Sequence, residues 1–137
     1  MKLRNILALI SGTFLLVGYS PAQASEKWVS CKWQYSKVEN IYVINNDTRV
    51  FSYDLDSTLL SEVKTEKYGD GSTREVIVSP TVISISSVKS FGSTVILINR
   101  YSGKYTTTIS DESGITVSEG VCSPIEARSV GSAERKF

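Results

Sequence analysis

The sequence predicts one antiparallel all-β domain of about eight strands, arranged as a meander that closes into a small barrel. From Trp28 onward, apolar and polar residues alternate with the two-residue period of a half-buried strand. Residues that favour turns interrupt this alternation about every 8 to 12 positions, a spacing typical of all-β domains. β-Branched Val, Ile and Thr are common within the alternating segments, and these residues favour strands over helices.

The first strand shows the alternation clearly, because Val29, Cys31, Trp33 and Tyr35 fall on one face. Cys31 is therefore expected to point into the core beside Trp33. The same pattern continues along the rest of the chain. Further strands are expected at residues 41–44, 48–55, 74–79, 81–87, 94–101, 104–110 and 115–122.

Residues 56–67 allow two interpretations. Their apolar residues fit one helical turn, but the alternation from Leu59 to Thr65 also fits a half-buried strand. A hairpin loop is expected at residues 68–72, leading into the strand at 74–79. We therefore predict a strand in this segment.

Three local features complete the expected domain. Residues 94–101 are apolar on both faces, which is typical of a strand that is central or covered on both sides. Gly120 is expected to mark a β-bulge. After Pro124 the chain is polar and charged, so residues 125–137 are expected to form a disordered tail and residues 25–124 the single β domain.

The two cysteines, Cys31 and Cys122, lie in the first and last expected strands. In an exported protein such a pair is expected to form a disulfide. The bridge would close a loop of about 90 residues, worth on the order of 4 to 5 kcal/mol. Since the two Cα atoms must lie within about 7 Å, the first and last strands must be close neighbours. A meander meets this condition by closing into a barrel, and a β-sandwich is the alternative.

Residues 1–24 have the features of a signal peptide. Lys2 and Arg4 precede a short apolar stretch, and Ala22-Gln23-Ala24 has the small-x-small pattern of a cleavage site. The apolar stretch is about 12 residues long, below the roughly 20 needed to span a bilayer. The mature protein is expected to begin at Ser25, to be periplasmic or secreted, and not to insert into a membrane.

Composition excludes several classes of function. The chain has 15 basic and 14 acidic residues, and the leader contains two of the basic ones, so the mature protein is near neutrality. Such a charge favours neither nucleic acid nor an anionic membrane surface as a partner. The chain contains no histidine, which excludes histidine-based nucleophilic sites and imidazole metal sites. Acidic pairs such as Asp54 with Asp56, or Asp111 with Glu112, lie in expected turns, where aspartate forms local hydrogen bonds.

Two resemblances involve the last third of the chain. Residues 96–104 run from an apolar strand into Asn-Arg-Tyr-Ser-Gly, and Gly120-Val121-Cys122 ends the last strand. This resembles the ending of many small exported bacterial β-sheet proteins, which implies the fold and the compartment. Ser102-Gly103-Lys104-Tyr105 resembles, one residue shorter, the Ser-Gly-x-x-Tyr-like loop of periplasmic inhibitors of C-type lysozyme. Those inhibitors are small barrels with a similar cysteine layout, so this resemblance implies hydrolase inhibition.

These observations predict a non-enzymatic binding module, with an unidentified protein or small ligand as its partner. A hydrolase inhibitor and a carrier of a small apolar ligand are the alternatives, since a small barrel can enclose one small molecule. We expect no catalytic, metal-binding or cofactor-binding residues, no cofactor, and a monomer. The candidate interaction surface consists of Arg100, Tyr101, Ser102, Gly103, Lys104 and Tyr105.

Overall fold

The computed structural model describes residues 25–131. The expected signal peptide at 1–24 and the end of the expected tail at 132–137 lie outside the described residues. Within the described part, no helix has the length and apolar character to cross a membrane.

Ten strands form one antiparallel sheet, and the described chain contains no helix. The strands are β1 (Glu26–Trp33), β2 (Glu39–Asn45), β3 (Arg49–Tyr53), β4 (Leu60–Val63), β5 (Glu66–Lys67), β6 (Thr73–Val78), β7 (Val82–Lys89), β8 (Gly92–Asn99), β9 (Lys104–Asp111) and β10 (Gly114–Ile125). Residues 56–67 thus contain the two short strands β4 and β5, as the strand interpretation predicts.

The strand order in the sheet is β4-β3-β2-β1-β10-β9-β8-β7-β6-β5. Every strand pairs with its sequence neighbour except at the step from β4 to β5, and β1 pairs with β10. The two edge strands are therefore consecutive in sequence, separated by Lys64 and Thr65. Val63 of β4 and Val76 of β6 pack against the same inner cluster, so the sheet curls into a barrel-like shape. The predicted meander is confirmed, with ten strands rather than eight.

The side chain of Thr65, in the link between β4 and β5, bonds to the backbone of β6. The Thr65 hydroxyl accepts the backbone N–H of Val76 at 3.0 Å and lies 3.5 Å from the carbonyl oxygen of the same residue. Thr65 thus extends the contact between this segment and β6 beyond the two paired residues of β5. This contact satisfies backbone groups that an open sheet edge would leave free.

The disulfide joins the first and last strands directly. Cys31 and Cys122 are opposite each other in the β1–β10 ladder, with Cα atoms 3.9 Å apart. The N–H of Cys122 donates to the carbonyl of Gly103 at 2.7 Å, so the backbone groups of Cys122 face away from β1. The cysteines therefore form a non-hydrogen-bonded pair, in which the side chains approach most closely.

The barrel interior is filled by apolar side chains and a stacked pair of aromatic rings. Trp33 on β1 and Tyr105 on β9 both lie opposite Gly120 of β10. Their rings stack with centroids 5.7 Å apart, and the Trp33 indole N–H donates to the Thr107 hydroxyl at 3.1 Å. The stacked rings come from the strands on either side of the glycine.

The register corrects the expectation of a bulge at Gly120. Pairing runs without interruption through this residue on both sides. A Cβ at this position would lie 1.9 Å from the carbonyl oxygen of Lys32 and 2.7 Å from the Cα of Trp33. Glycine is therefore needed for the close approach of β1 to β10.

A second core lies on the outer face of β1 to β3. It contains Trp28, Ile41, Val43 and Tyr53, and the rings of Trp28 and Tyr53 meet edge to face at 5.3 Å. This part of the outer face is therefore buried by other residues of the same chain.

The segment after β10 reaches this second core. The Tyr53 hydroxyl donates to the carbonyl of Ser129 at 2.9 Å, and the N–H of Gly131 donates to the carbonyl of Thr58 at 2.8 Å. Arg128 bonds Glu39 at 3.1 Å. The structure thus differs from the expected tail: Ile125 belongs to β10, and residues 126–131 are tied to β2, β3 and the turn after β3.

The outer face of β6 to β10 has no such cover among the described residues. Leu97 and Ile77 are exposed and Val95 is half-buried. Of the two expectations for residues 94–101, the central position is confirmed, because β8 lies between β7 and β9 in the sheet, whereas cover on both faces is not found among the described residues. Only the inner face of β8, with Ile96 and Ile98, packs in the core.

Candidate functional site

One end of the barrel, which we call the mouth, is formed by the start of β1 and by the turns 46–48, 79–81 and 100–103. The turn at 100–103 belongs to the β8–β9 hairpin, the candidate interaction surface. Asn99 shapes this turn, because its Oδ1 accepts the N–H groups of Tyr101 and Ser102, both at 2.9 Å.

Gly103 closes the hairpin turn. It adopts φ of 75°, a left-handed conformation that glycine adopts without strain. Its N–H donates to the carbonyl of Asn99 at 2.9 Å. A Cβ would also lie 2.5 Å from the carbonyl oxygen of Cys122, so the turn packs directly against β10. The hairpin is held in one shape by local bonds and by its contact with the last strand.

Arg100 anchors the hairpin to two other turns. Its backbone N–H donates to the carbonyl of Thr81, and its Nη1 donates to the carbonyl of Ser79, both at 2.8 Å. Its Nη2 donates to the Asp47 carboxylate. The Arg100 side chain is only 15% exposed, so these internal contacts take up most of its surface.

Asp47 is the common acceptor at the mouth. It sits in the β2–β3 turn with φ of 55°, and it also accepts a bond from Lys27 of β1 at 3.1 Å. The hydrogen bonds from Arg100 and Lys27 hold the pKa of the Asp47 carboxyl below its usual range. One carboxylate thus bonds two cations, which leaves one positive charge in excess.

The candidate surface residues have different surroundings. Tyr101 is 81% exposed at the hairpin tip, and Ser102 is exposed beside it. Lys104 is exposed and forms an ion pair with Glu119 at 3.2 Å. Tyr105, in contrast, is 1% exposed and lies in the inner core. The structure therefore removes Tyr105 from the surface and leaves Tyr101 as its aromatic residue.

A cavity of about 540 Å³ lies beside this hairpin. Its apolar wall includes Val29, Ile44, Ile83 and Ile98, which are inner-face residues at the end of the barrel. Its rim includes charged and hairpin residues. Among these rim residues are Lys27, Arg100, Tyr101 and Ser102.

A larger groove, of about 660 Å³, crosses the outer face of β1 and β10. Three of its four charged side chains, all except Lys32, bond to each other or to neighbours. Lys104 pairs with Glu119, and Glu39 accepts the Ser30 hydroxyl at 2.6 Å. The mouth differs from this groove because it combines an apolar wall with the exposed ring of Tyr101, and we therefore take the mouth as the candidate site.

Three exposed carboxylates form hydrogen bonds within turns. Asp54, Asp70 and Asp111 each accept N–H bonds from the residues that follow them. Bonds from these following residues hold the pKa of each carboxyl below its usual range. Between residues 25 and 131, no group of three or more His, Cys, Asp or Glu residues could hold a metal ion.

No protein-family model, curated protein or solved structure matches this chain. The assignment of a site therefore rests on its geometry alone. Sequence reasoning identified the hairpin but missed Lys27 and Asp47, which lie far from it in sequence. Asn45-Asn46-Asp47 separates the expected strands at 41–44 and 48–55, but the contact of Asp47 with Arg100 depends on the topology of the sheet.

Proposed function

We propose that this protein is an exported binding module that holds its partner at the mouth of the barrel. The disulfide indicates an oxidising, exported environment, and the leader-like residues 1–24 support export through a signal peptide. The partner we favour is a protein that inserts an apolar side chain into the mouth cavity.

The observation that carries this proposal is the rigid presentation of Tyr101. The ring is exposed, while the backbone beside it is fixed by Asn99 and Arg100. Exposed tyrosines are enriched in protein interfaces. A side chain held on a fixed backbone also loses less conformational freedom when a partner binds.

The mouth cavity limits the size of the chemical group that can bind there. Its apolar wall accommodates a group such as an aliphatic or aromatic side chain. Ile83 and Ile98 of this wall and Tyr105 of the inner core are almost completely buried, so little of the interior is open to a ligand. The mouth therefore supports shallow insertion of one group better than enclosure of a whole apolar ligand.

The first test uses a photo-crosslinking amino acid at position 101 in the exported full-length protein. Position 35 is the matched control, because Tyr35 is 94% exposed and lies in the β1–β2 turn, at the opposite end of the barrel. We expect a discrete adduct from position 101 that position 35 does not give. Identical adducts from both positions would contradict the proposal.

The second test measures affinity for the captured partner. Tyr101→Ala is expected to weaken binding by a factor of ten or more, about 1.4 kcal/mol, as for a central interface residue. Tyr35→Ala should leave the affinity unchanged. Equal affinities for the wild type and Tyr101→Ala would show that the mouth is not the binding site.

A hydrolase inhibitor is the second candidate, supported by the same hairpin. A rigid tip with an exposed tyrosine has the shape needed to enter an active-site cleft. The purified protein should then inhibit a C-type lysozyme or another hydrolase at micromolar concentration, and Tyr101→Ala should lose that inhibition. No inhibition across lysozymes and common proteases would eliminate this candidate.

A further inference from the structure

The last strand is longer than the strand beside it. β10 pairs with β9 from Gly114 to Val121 but with β1 only from Gly120 to Ile125. β1 ends at Trp33, where the chain turns towards β2. Among residues 25–131, nothing pairs with residues 114–118 of β10 on the β1 side, so they form a free edge at the opposite end of the barrel from the mouth.

The direction of each backbone group along this edge follows from two hydrogen bonds. The carbonyl of Glu119 accepts the N–H of Gln34, on the β1 side, whereas the N–H of Cys122 points to the β9 side. Backbone groups alternate in direction from one residue to the next. The N–H and C=O groups of Ile115 and Val117 consequently face the free edge.

The side chains along this edge are apolar and exposed. Ile115 is 74% and Val117 56% exposed. Natural edge strands are usually protected from pairing by lysine, proline or a bulge, and residues 114–118 contain none of these. A cleft of about 610 Å³ lies beside the edge, between residues 33–36 and 117–119.

We propose that this edge pairs with the same edge of a second copy of the protein. In an antiparallel arrangement centred on Thr116, Ile115 of each copy lies opposite Val117 of the other. Each of these two pairs exchanges two backbone hydrogen bonds, which gives four. The edge is thus complementary to itself, and the two curled sheets become continuous across it.

Charge complementarity supports a second copy as the occupant. In this register the β9–β10 turn of one copy, with Asp111 and Glu112, approaches the β1–β2 turn of the other, which contains Lys37. These residues are exposed, and the two-fold symmetry forms the contact twice. The cleft beside Trp33 then receives the first residues of β10 from the other copy.

The contact is short, so the dimer is expected to be weak and to depend on concentration. Pairing would protect the amides of Ile115 and Val117 from hydrogen exchange at millimolar but not at low micromolar concentration. The amides of Thr116 and Ser118, which face β9, should be protected at both concentrations. Sedimentation should show the matching shift from monomer to dimer.

Val117→Pro tests the edge with little disturbance of the fold, since the N–H it removes has no partner within the molecule. It is expected to abolish dimerisation while the Thr116 amide stays protected. Val117→Lys should do the same, and Leu97→Lys, on the exposed face of β8, should leave dimerisation intact. A monomer at every concentration would overturn the proposal. So would protection of Ile115 and Val117 that does not change with concentration.

Discussion

Loss of the Cys31–Cys122 disulfide is the perturbation whose size can be derived most directly from the structure. The bridged residues are 91 positions apart. Loop-closure entropy for such a separation gives a stabilisation of about 4 to 5 kcal/mol at 25 °C, through restriction of the unfolded chain. This is a large part of the 5–15 kcal/mol by which typical domains are stable.

The contacts around the bridge show what would remain after its removal. Six residue pairs join β1 to β10, and the Trp33–Tyr105 stack joins β1 to β9. These contacts would keep the folded topology, so a protein without the bridge is expected to fold but with much lower stability.

Urea titration of the Cys31→Ala/Cys122→Ala double variant is the appropriate assay. The midpoint should fall, and the slope m should rise because the unfolded chain becomes less compact. The wild type after reduction provides a second measurement without substitution. A loss of less than about 1 kcal/mol would refute the entropic reasoning, as would free thiols in the exported protein.

Two further predictions concern the inner core. Gly120→Ala places a Cβ against the Lys32 carbonyl and should reduce the free energy of unfolding by about 1–3 kcal/mol in urea titration. Gly69→Ala, with no atom within 4 Å of the added Cβ, is the control, and equal effects would contradict the steric argument. Burial, together with the neighbouring Tyr105, raises the pKa of the Tyr42 phenol. The unfolded chain therefore loses this proton first, near pH 10, so stability should fall as the pH rises above that value. Tyr42→Phe should reduce this alkaline loss in urea titrations across pH, and an unchanged profile would contradict the assignment.

The strands were predictable because the alternation of apolar and polar residues indicates which side chains face the core. Cys31 and Trp33 share the inner face as expected, and the cysteine pair correctly placed β1 beside β10. The same pattern favoured strand at residues 56–67, although these apolar residues also fit a helical turn. The alternation within each strand, together with the expected disulfide between Cys31 and Cys122, was enough to predict the topology of the sheet.

Errors arose where a residue's environment depends on strands distant in sequence. Gly120 resembles a bulge when only β10 is considered, but its role is set by Trp33 and Tyr105 in the adjacent strands. Leu97 resembles a residue of a covered strand, yet the segment after β10 covers β1 to β3 instead. Apolar character alone does not show which face a neighbouring segment covers.

The candidate site likewise combines features that the local sequence predicts with features that depend on residues distant in sequence. Tyr101 and Gly103 were identified from the Asn-Arg-Tyr-Ser-Gly segment of the sequence, and local bonds to Asn99 shape the turn there. The rigidity of that hairpin, however, comes from Arg100 and Asp47, which are 53 positions apart. Their contact exists because curling of the sheet brings the turns of β2–β3 and β8–β9 to the same end of the barrel. The turn supplies the exposed aromatic ring, and the curled sheet brings together the contacts that hold this turn in a defined position.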